Sequence, residues 1–246
     1  MNLKVVKDVL VITALKSLPD LKRQPLVMFL VGMISSLPLY FIIVFGADIS
    51  YGLIGAMVST ISFIGMNAAI QDIAWDRYVK IREMIVAMPV HPIAYAMGIA
   101  LAPLMISAPS LIFFVAVTMW LGVLTLSSLL WAAVSLILCW AALSSVGFLI
   151  STYLKKASPY TLNNLANILG IGLGFIPPVY YPEEMLGSFS WIAAVFPTSN
   201  TASLIRVYSG SLSLPFEMVV MRWLILVATT IVFAVLTISK ARWREN

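Results

Sequence analysis

Trp75-Asp-Arg-Tyr-Val-Lys-Ile-Arg-Glu-Met-Ile-Val-Ala-Met-Pro-Val-His-Pro, residues 75–92, leads into a stretch, residues 93–154, that contains no Asp, Glu, Lys or Arg. So abrupt a change from charge to apolar sequence marks the border between an aqueous loop and a membrane crossing. Composition agrees: 61% of the residues are hydrophobic and 10% charged, with a mean hydropathy of +1.02, against about 45–50% apolar and about 25% charged in a soluble domain. The chain reads as an all-α integral membrane protein. Lipid leaves no partner for an unpaired backbone group, and a barrel would show short alternating strands in place of long apolar runs.

A helix needs about 20 apolar residues to cross a hydrocarbon layer of about 30 Å. Working outward from residues 75–92, six runs meet that length: 26–45, 51–71, 93–121, 126–152, 161–179 and 216–239. In such an arrangement Lys4, Lys7, Lys16, Lys22, Arg23, Arg77, Lys80, Arg82, Lys155, Lys156, Lys240, Arg242 and Arg244 share one side, and only Arg206 and Arg222 fall opposite. Basic residues near span ends are retained on the cytoplasmic side, so both termini are expected there. A cleaved secretory peptide is not expected, because Pro19, Asp20, Lys22 and Arg23 stand where an apolar core and a small-residue cleavage site belong.

The formal charge of +5 invites a nucleic-acid partner. These charges sit at membrane borders, however, where topology and anionic head groups account for them, so no nucleic acid is expected. Cys139 is the single cysteine, so no disulfide or cysteine–metal framework closes within the chain, and its place in an apolar span points to packing. His91 is the single histidine, with no H-E-x-x-H or G-x-S-x-G pattern around it, which removes the usual catalytic clusters. Beside Pro89 and Pro92 it reads as a solvated loop residue or a minor docking contact.

Within residues 1–25, Leu3, Val6 and Leu10 recur at helical spacing with Lys4, Lys7 and Asp8 between them. That pattern suits a helix lying in the membrane interface, or one packed on the protein from the cytoplasm. Pro103 and Pro109 lack backbone donors and are expected to bend or unwind the third span. Small residues, Gly52, Gly55 and Ala56 in one span and Gly170, Gly172 and Gly174 in another, permit close helix approach. Asn163, Asn164 and Asn167 begin the fifth span at spacings that place Asn167 on a face with the other two. Amides in hydrocarbon need partners, so they face either neighbouring helices or a polar path. Residues 180–200 carry Tyr180, Tyr181, Pro182, Trp191 and Pro197 around an apolar stretch too short to cross. They are expected to dip into the outer interface or to lie over the helix ends.

Residues 72–92 read as a helix: Asp72 and Asp76 occupy its first turn, and Asp76–Lys80 and Lys80–Glu83 are favourable pairs. Ile81, Ile85 and Met88 make a narrow apolar stripe, and Pro89 and Pro92 end it. On these grounds alone the segment is a docking element or a solvated loop helix.

The acid–Arg pair Asp76-Arg77, Glu83 six residues before Pro89 and the close Met88-Pro89-Val90 resemble the cytoplasmic helix of the ABC-2 type permeases, the membrane subunits of ATP-binding cassette exporters. Pro182 after aromatic residues, Trp191, Phe196-Pro197-Thr198, Leu204 and Arg206 resemble the family's second signature. The likeness extends over nearly the whole chain in span count, loop lengths and orientation. It implies one transmembrane domain over residues 1–246, with an N-terminal cytoplasmic interfacial helix (1–25), a coupling helix (72–92) and an outer re-entrant segment (180–200).

Two such subunits, as homodimer or heterodimer, would form the pathway in the plasma membrane, each docked on a separate ATPase subunit through Asp76, Arg77, Lys80, Arg82, Glu83 and Pro89. ATP and Mg would belong to that partner, since this chain has no G-x-x-x-x-G-K-[ST] loop and no cofactor of its own. The implied cargo is a hydrophobic drug, a lipid or a lipid-linked glycan. The alternative is a secondary carrier or channel without an ATPase partner, which would need ionisable groups at mid-membrane; the central thirds of the six runs hold none.

Overall fold

The computed structural model describes residues 3–33, 37–45, 48–78, 91–154 and 156–240. They form helices only, with no strand among the described residues. In chain order these are α1 (Leu3–Arg23), α2 (Pro25–Met33), α3 (Leu37–Phe45), α4 (Ile49–Asn67), a π-helical turn (Ala68–Asp72), α5 (Ile73–Tyr78), α6 (Pro92–Trp120), α7 (Leu126–Tyr153), α8 (Pro159–Phe175), a 3-10 segment (Glu183–Phe189), α9 (Ser190–Ala193), α10 (Pro197–Ser209) and α11 (Phe216–Lys240).

Among the described residues four helices are long and apolar enough to cross a membrane: Ile49–Asp76, Ile93–Trp120, Leu126–Tyr153 and Phe216–Lys240. Within residues 26–45 the described parts are α2 and α3, nine residues each, on either side of residues 34–36, which lie outside the described residues. Residues 161–179 give a helix of 17 residues, about 25 Å, at the lower limit for a span. The helix then stops, because Pro177 and Pro178 supply no donors and the chain turns through them.

Helix starts are specified locally. His91 caps α6 by accepting from the Ile93 amide at 3.3 Å through Nδ1, with Pro92 in the first helical position. The lone histidine is therefore an N-cap. Thr125 and Ser128 form a reciprocal capping box at α7, and Ser158 caps α8 ahead of Pro159. The third span runs as one helix through Pro103 and Pro109 without unwinding.

At the centre lies α4, buried on nearly every side by α3, α6, α7, α8 and α10. Its seam with α8 is built from small residues: Leu162, Ala166, Gly170 and Gly174 are the buried positions of α8, spaced by one turn. Ser62 Oγ donates to the Gly170 carbonyl at 2.9 Å and Ser59 Oγ to the Gly174 carbonyl at 3.0 Å. A Cβ on Gly170 would lie 3.1 Å from the Phe63 Cα, whereas one on Gly172 would meet only the tip of Ile176 at 3.7 Å. Close approach thus belongs to Gly170 and Gly174. On another side Gly55 lies under the Tyr180 ring. α11 is clipped to α7 in the same manner, by Thr230 to the Leu138 carbonyl at 3.1 Å and Thr237 to the Ser145 carbonyl at 2.9 Å. Cys139 is fully buried in an apolar cluster with Ile61, Leu143, Leu204 and Leu226, as its place in the sequence suggests.

α1 packs on α6 through Val9, Thr13 and Ser17, with Thr13 Oγ1 shared between the Val9 and Gly98 carbonyls at 2.8 and 3.3 Å. Leu3, Leu10, Leu15 and Leu18 remain exposed on its other side, among Lys4, Lys7 and Lys22. One face of the helix thus docks on the protein, and a face of leucines and lysines is left exposed.

A Cβ on Gly147 would lie 2.7 Å from the Ala69 Cβ and 3.3 Å from the Met66 carbonyl oxygen. Gly147→Ala is expected to force α7 away from α4 and destabilise the protein by about 1–3 kcal/mol. Adding Ala69→Gly should recover most of that loss; thermal unfolding of the single and double variants in detergent measures the coupling.

Candidate functional site

A cleft of about 290 Å³ opens between α4, α6 and α8. From α4 come Thr60, Phe63 and Asn67, and from the π turn Gln71 and Asp72; α6 adds Pro103, Ile106 and Ser107, and α8 adds Asn163 and Asn167. The polar groups converge for structural reasons. The small-residue seam brings the first turns of α8 against the last turns of α4, and the wide π turn carries Gln71 and Asp72 round to the same opening. Pro103 supplies no amide to the helix in the wall facing them.

Asn67 is 8% exposed. Its Nδ2 donates to the Phe63 carbonyl at 3.2 Å, while its Oδ1 is buried without a hydrogen-bond partner. Of the three asparagines of the fifth run, Asn163 and Asn167 face the cleft, one helical turn apart, and Asn164 is exposed on a different face. The expectation that all three share a face therefore fails at Asn164: 163 and 167 differ by four residues, whereas 164 is rotated about 100° from 163.

One end of the bundle, about one turn beyond the cleft, is tied by an ion pair. Asp76 is 5% exposed; Lys16 Nζ donates to both of its carboxylate oxygens, at 2.9 and 2.8 Å, and the Tyr95 hydroxyl donates to Oδ2. Three elements, α1, α5 and α6, thereby meet at one carboxylate. Trp75 stacks edge-on against Tyr160 at 5.7 Å, adding α8 to the same junction. Of the remaining residues expected to couple to a partner, Lys80, Arg82, Glu83 and Pro89 lie outside the described residues, as does the side chain of Arg77.

The other end carries a second charged cluster, which the sequence reading did not assemble. α10 inserts among α4, α7 and α11 with Thr198, Ser199, Asn200, Thr201 and Ser203 all buried. Thr198 reaches the Leu173 carbonyl at 2.7 Å. Arg206, only 1% exposed, donates to the carbonyls of Pro178 and Val179 and stacks over the Tyr51 ring at 3.9 Å. Its guanidinium thus serves backbone carbonyls left open beyond the end of α8. Arg222 pairs with Glu183 and donates to Asn200 Oδ1 at 3.1 Å, and Ser203 donates to Glu183 Oε1 at 2.6 Å. Between Tyr51 and Asp76 α4 and its continuation rise roughly 37 Å, so the two clusters occupy opposite ends.

The helix packed among α4, α7 and α11 is α10, residues 197–209, which overlaps the end of the 180–200 stretch. Within that stretch Tyr180 is buried against Gly55, Tyr181 donates to the Ile176 carbonyl, Pro182 precedes the 3-10 turn and Pro197 opens α10, while Trp191 is 67% exposed. The missed signal was a pair of helix boundaries: Pro197 in the first helical position and Gly210, at φ 79°, just past the last. For the cleft, the missed signal was Asn67 and Gln71, one turn apart within an otherwise apolar run.

Comparison with family models, with curated proteins and with solved structures finds no match.

Arg222 is buried against Glu183, so Arg222→Met alone strands a carboxylate and is expected to cost about 3 kcal/mol. Arg222→Met combined with Glu183→Gln should recover at least half of it, as measured by equilibrium unfolding of the purified protein.

Proposed function

We propose that this chain is the permease subunit of an ATP-driven exporter of the ABC-2 type: it provides the pathway through the membrane, and a separate ATPase subunit docks on it from the cytoplasm. The observation that carries the reading is the Lys16–Asp76–Tyr95 junction. It fastens the start of the charged 72–92 segment to α1 and α6 at a point one turn from the cleft.

A force applied to residues 79–90 by a partner would reach α1, α4 and α6 together, because Asp76 leaves none of them free to move alone. Asp76 spends its charge inside the chain, so it acts as the anchor of the coupling element. Arg77, Lys80, Arg82 and Glu83 are left as the residues that meet the ATPase subunit, with Pro89 ending the helix. Nucleotide-driven closure of two ATPase subunits would then bias the bundle between two arrangements with access on opposite sides.

The basic residues support the orientation. The end bearing Lys16, Lys22 and Arg23 is the cytoplasmic one by the rule that retains Lys and Arg inside, and it places the cleft toward the inner leaflet. The Arg206–Arg222–Glu183 cluster then closes the outer end. In this arrangement residues 26–45 and α8 complete six crossings, the second of them short. Two copies of the chain, or this chain and a similar one, would enclose the pathway, with ATP and Mg held by the ATPase partner.

Glu83→Lys is expected to abolish co-purification with the ATPase subunit and ATP-dependent transport in proteoliposomes while leaving the amount of folded permease unchanged. Normal association and transport in that variant would overturn the docking assignment, as would labelling of a cysteine introduced at Glu83 only from outside the cell.

A further inference from the structure

We infer that the outward face of α8 is where a second copy of this chain packs, with Asn164 of each copy hydrogen-bonded to its counterpart across a two-fold axis. The inference deepens the transport reading, in which two copies enclose the pathway. It rests on that reading for the role of the pair, whereas the contact itself needs only a bilayer.

Asn164 carries the argument. α8 packs chiefly on α4 and its continuation through the π turn and α5, and it spends Leu162, Ala166, Gly170 and Gly174 on that seam. Asn164 and Ile168 are exposed on the opposite side. Depth follows from the seam: Ser62 meets Gly170 and Ser59 meets Gly174, so the two helices run antiparallel. From Gly170 back to Asn164 the helix descends about 9 Å, and from Ser62 on to Asp76 about 21 Å in the same direction. The amide therefore lies about 12 Å inside the Lys16–Asp76 level. With the two charged clusters about 37 Å apart and a hydrocarbon layer of about 30 Å between them, it sits within the apolar band. A side-chain amide holds two N–H groups and two lone pairs, more than its own helix satisfies, and lipid tails offer none.

The same face is shaped for a helix. Asn164, Ile168 and Gly172 follow at four-residue intervals and so form one ridge. Gly170 and Gly174 are closed by α4, whereas a Cβ on Gly172 would meet only the tip of Ile176 at 3.7 Å. Nothing among the described residues uses the small size of Gly172. An exposed amide with a small residue two turns along is what close helix approach with an interhelical hydrogen bond requires.

Complementarity selects the occupant. An amide is satisfied by a group that donates and accepts at once, and a second amide does both. A two-fold axis along the bilayer normal sets a residue near the axis against itself, so Asn164 meets its counterpart and Gly172 leaves room for the facing backbone. Symmetry brings no like charges together, because α8 contains no Asp, Glu, Lys or Arg. The four-residue ridge sets the pair crossing at about −40°.

The test uses the full chain in phosphatidylcholine liposomes, without ATP or an ATPase subunit. Copies carrying donor or acceptor dye at the C-terminus report association by energy transfer as the lipid-to-protein ratio is raised. The parent should form a reversible dimer. Asn164→Leu and Gly172→Leu should each weaken it about three- to tenfold, and Asn164→Gln, which keeps the amide, should hold it within about twofold. Ile168→Cys should give a disulfide-linked dimer under mild oxidation, whereas Ile231→Cys, at an exposed position of α11, should not; the parent's Cys139 is buried and supplies the blank. If Gly172→Leu melts earlier than the parent, Asn164→Leu decides the outcome. Monomers at every dilution overturn the second copy as occupant and leave the face to lipid or to a different chain. Undiminished association in Asn164→Leu, or equal cross-linking at 168 and 231, overturns the face. ATPase docking is read separately, from Glu83→Lys, so failure here and failure of the transport reading are distinct observations.

Discussion

Serine hydroxyls on α4 donating into glycine carbonyls of α8 set the spacing on which the rest of the bundle depends. Lipid offers no hydrophobic drive to bring two helices together, so association comes from close packing and from hydrogen bonds that neither helix can make alone. Ser59 and Ser62 opposite Gly174 and Gly170 supply both. Because the two backbones nearly touch at that seam, the last turns of α4 and the first turns of α8 share the walls of one cleft with α6. Thr230 and Thr237 repeat the device between α11 and α7, which leaves α4 enclosed while α11 keeps most of its surface for lipid.

Charge is handled differently at the two ends. At one end a single carboxylate, Asp76, gathers Lys16 and Tyr95 and so ties three elements at one point. At the other, two buried arginines divide the work: Arg222 neutralises Glu183, while Arg206 serves backbone carbonyls and an aromatic face. The second cluster holds the chain between α8 and α11 in place, including α10, which packs among α4, α7 and α11. Buried pairs of this kind contribute little net stability but fix one arrangement over others. Between the two ends the helices keep apolar surfaces outward.

The sequence was most legible where one physical constraint dominated. Length and hydropathy gave the helical class directly, and four of the six runs they marked are long apolar helices among the described residues; the small-residue spacing of α8 pointed to a close seam. It was least legible where tertiary contacts overrode composition. α10 is polar on the face it buries, so hydropathy hid it; only Pro197 and Gly210 marked its ends. Arg206 and Arg222 read only as the two basic residues opposite the rest, because nothing local reveals that Glu183 and the Pro178 carbonyl come to meet them. Asn67 drew no reading from the sequence; the fold sets Asn163 and Asn167 across the cleft from it. His91 showed its role only with the N-cap geometry in view. The Asp76 carboxylate, expected to face a partner, accepts from Lys16 and Tyr95, contacts between distant parts of the chain that no local pattern reveals.

The π turn at Ala68–Asp72 has a mechanical meaning. Such a turn holds about one residue more than an α-helical turn, which puts the helix before it and the helix after it about 100° out of phase. α4 can therefore keep its serines toward α8 while α5 aims Asp76 at Lys16, two orientations that one uniform helix could not satisfy together. Tightening that turn would unscrew one end relative to the other, converting a rotation at the charged end into an axial slip beside Gln71 and Asp72.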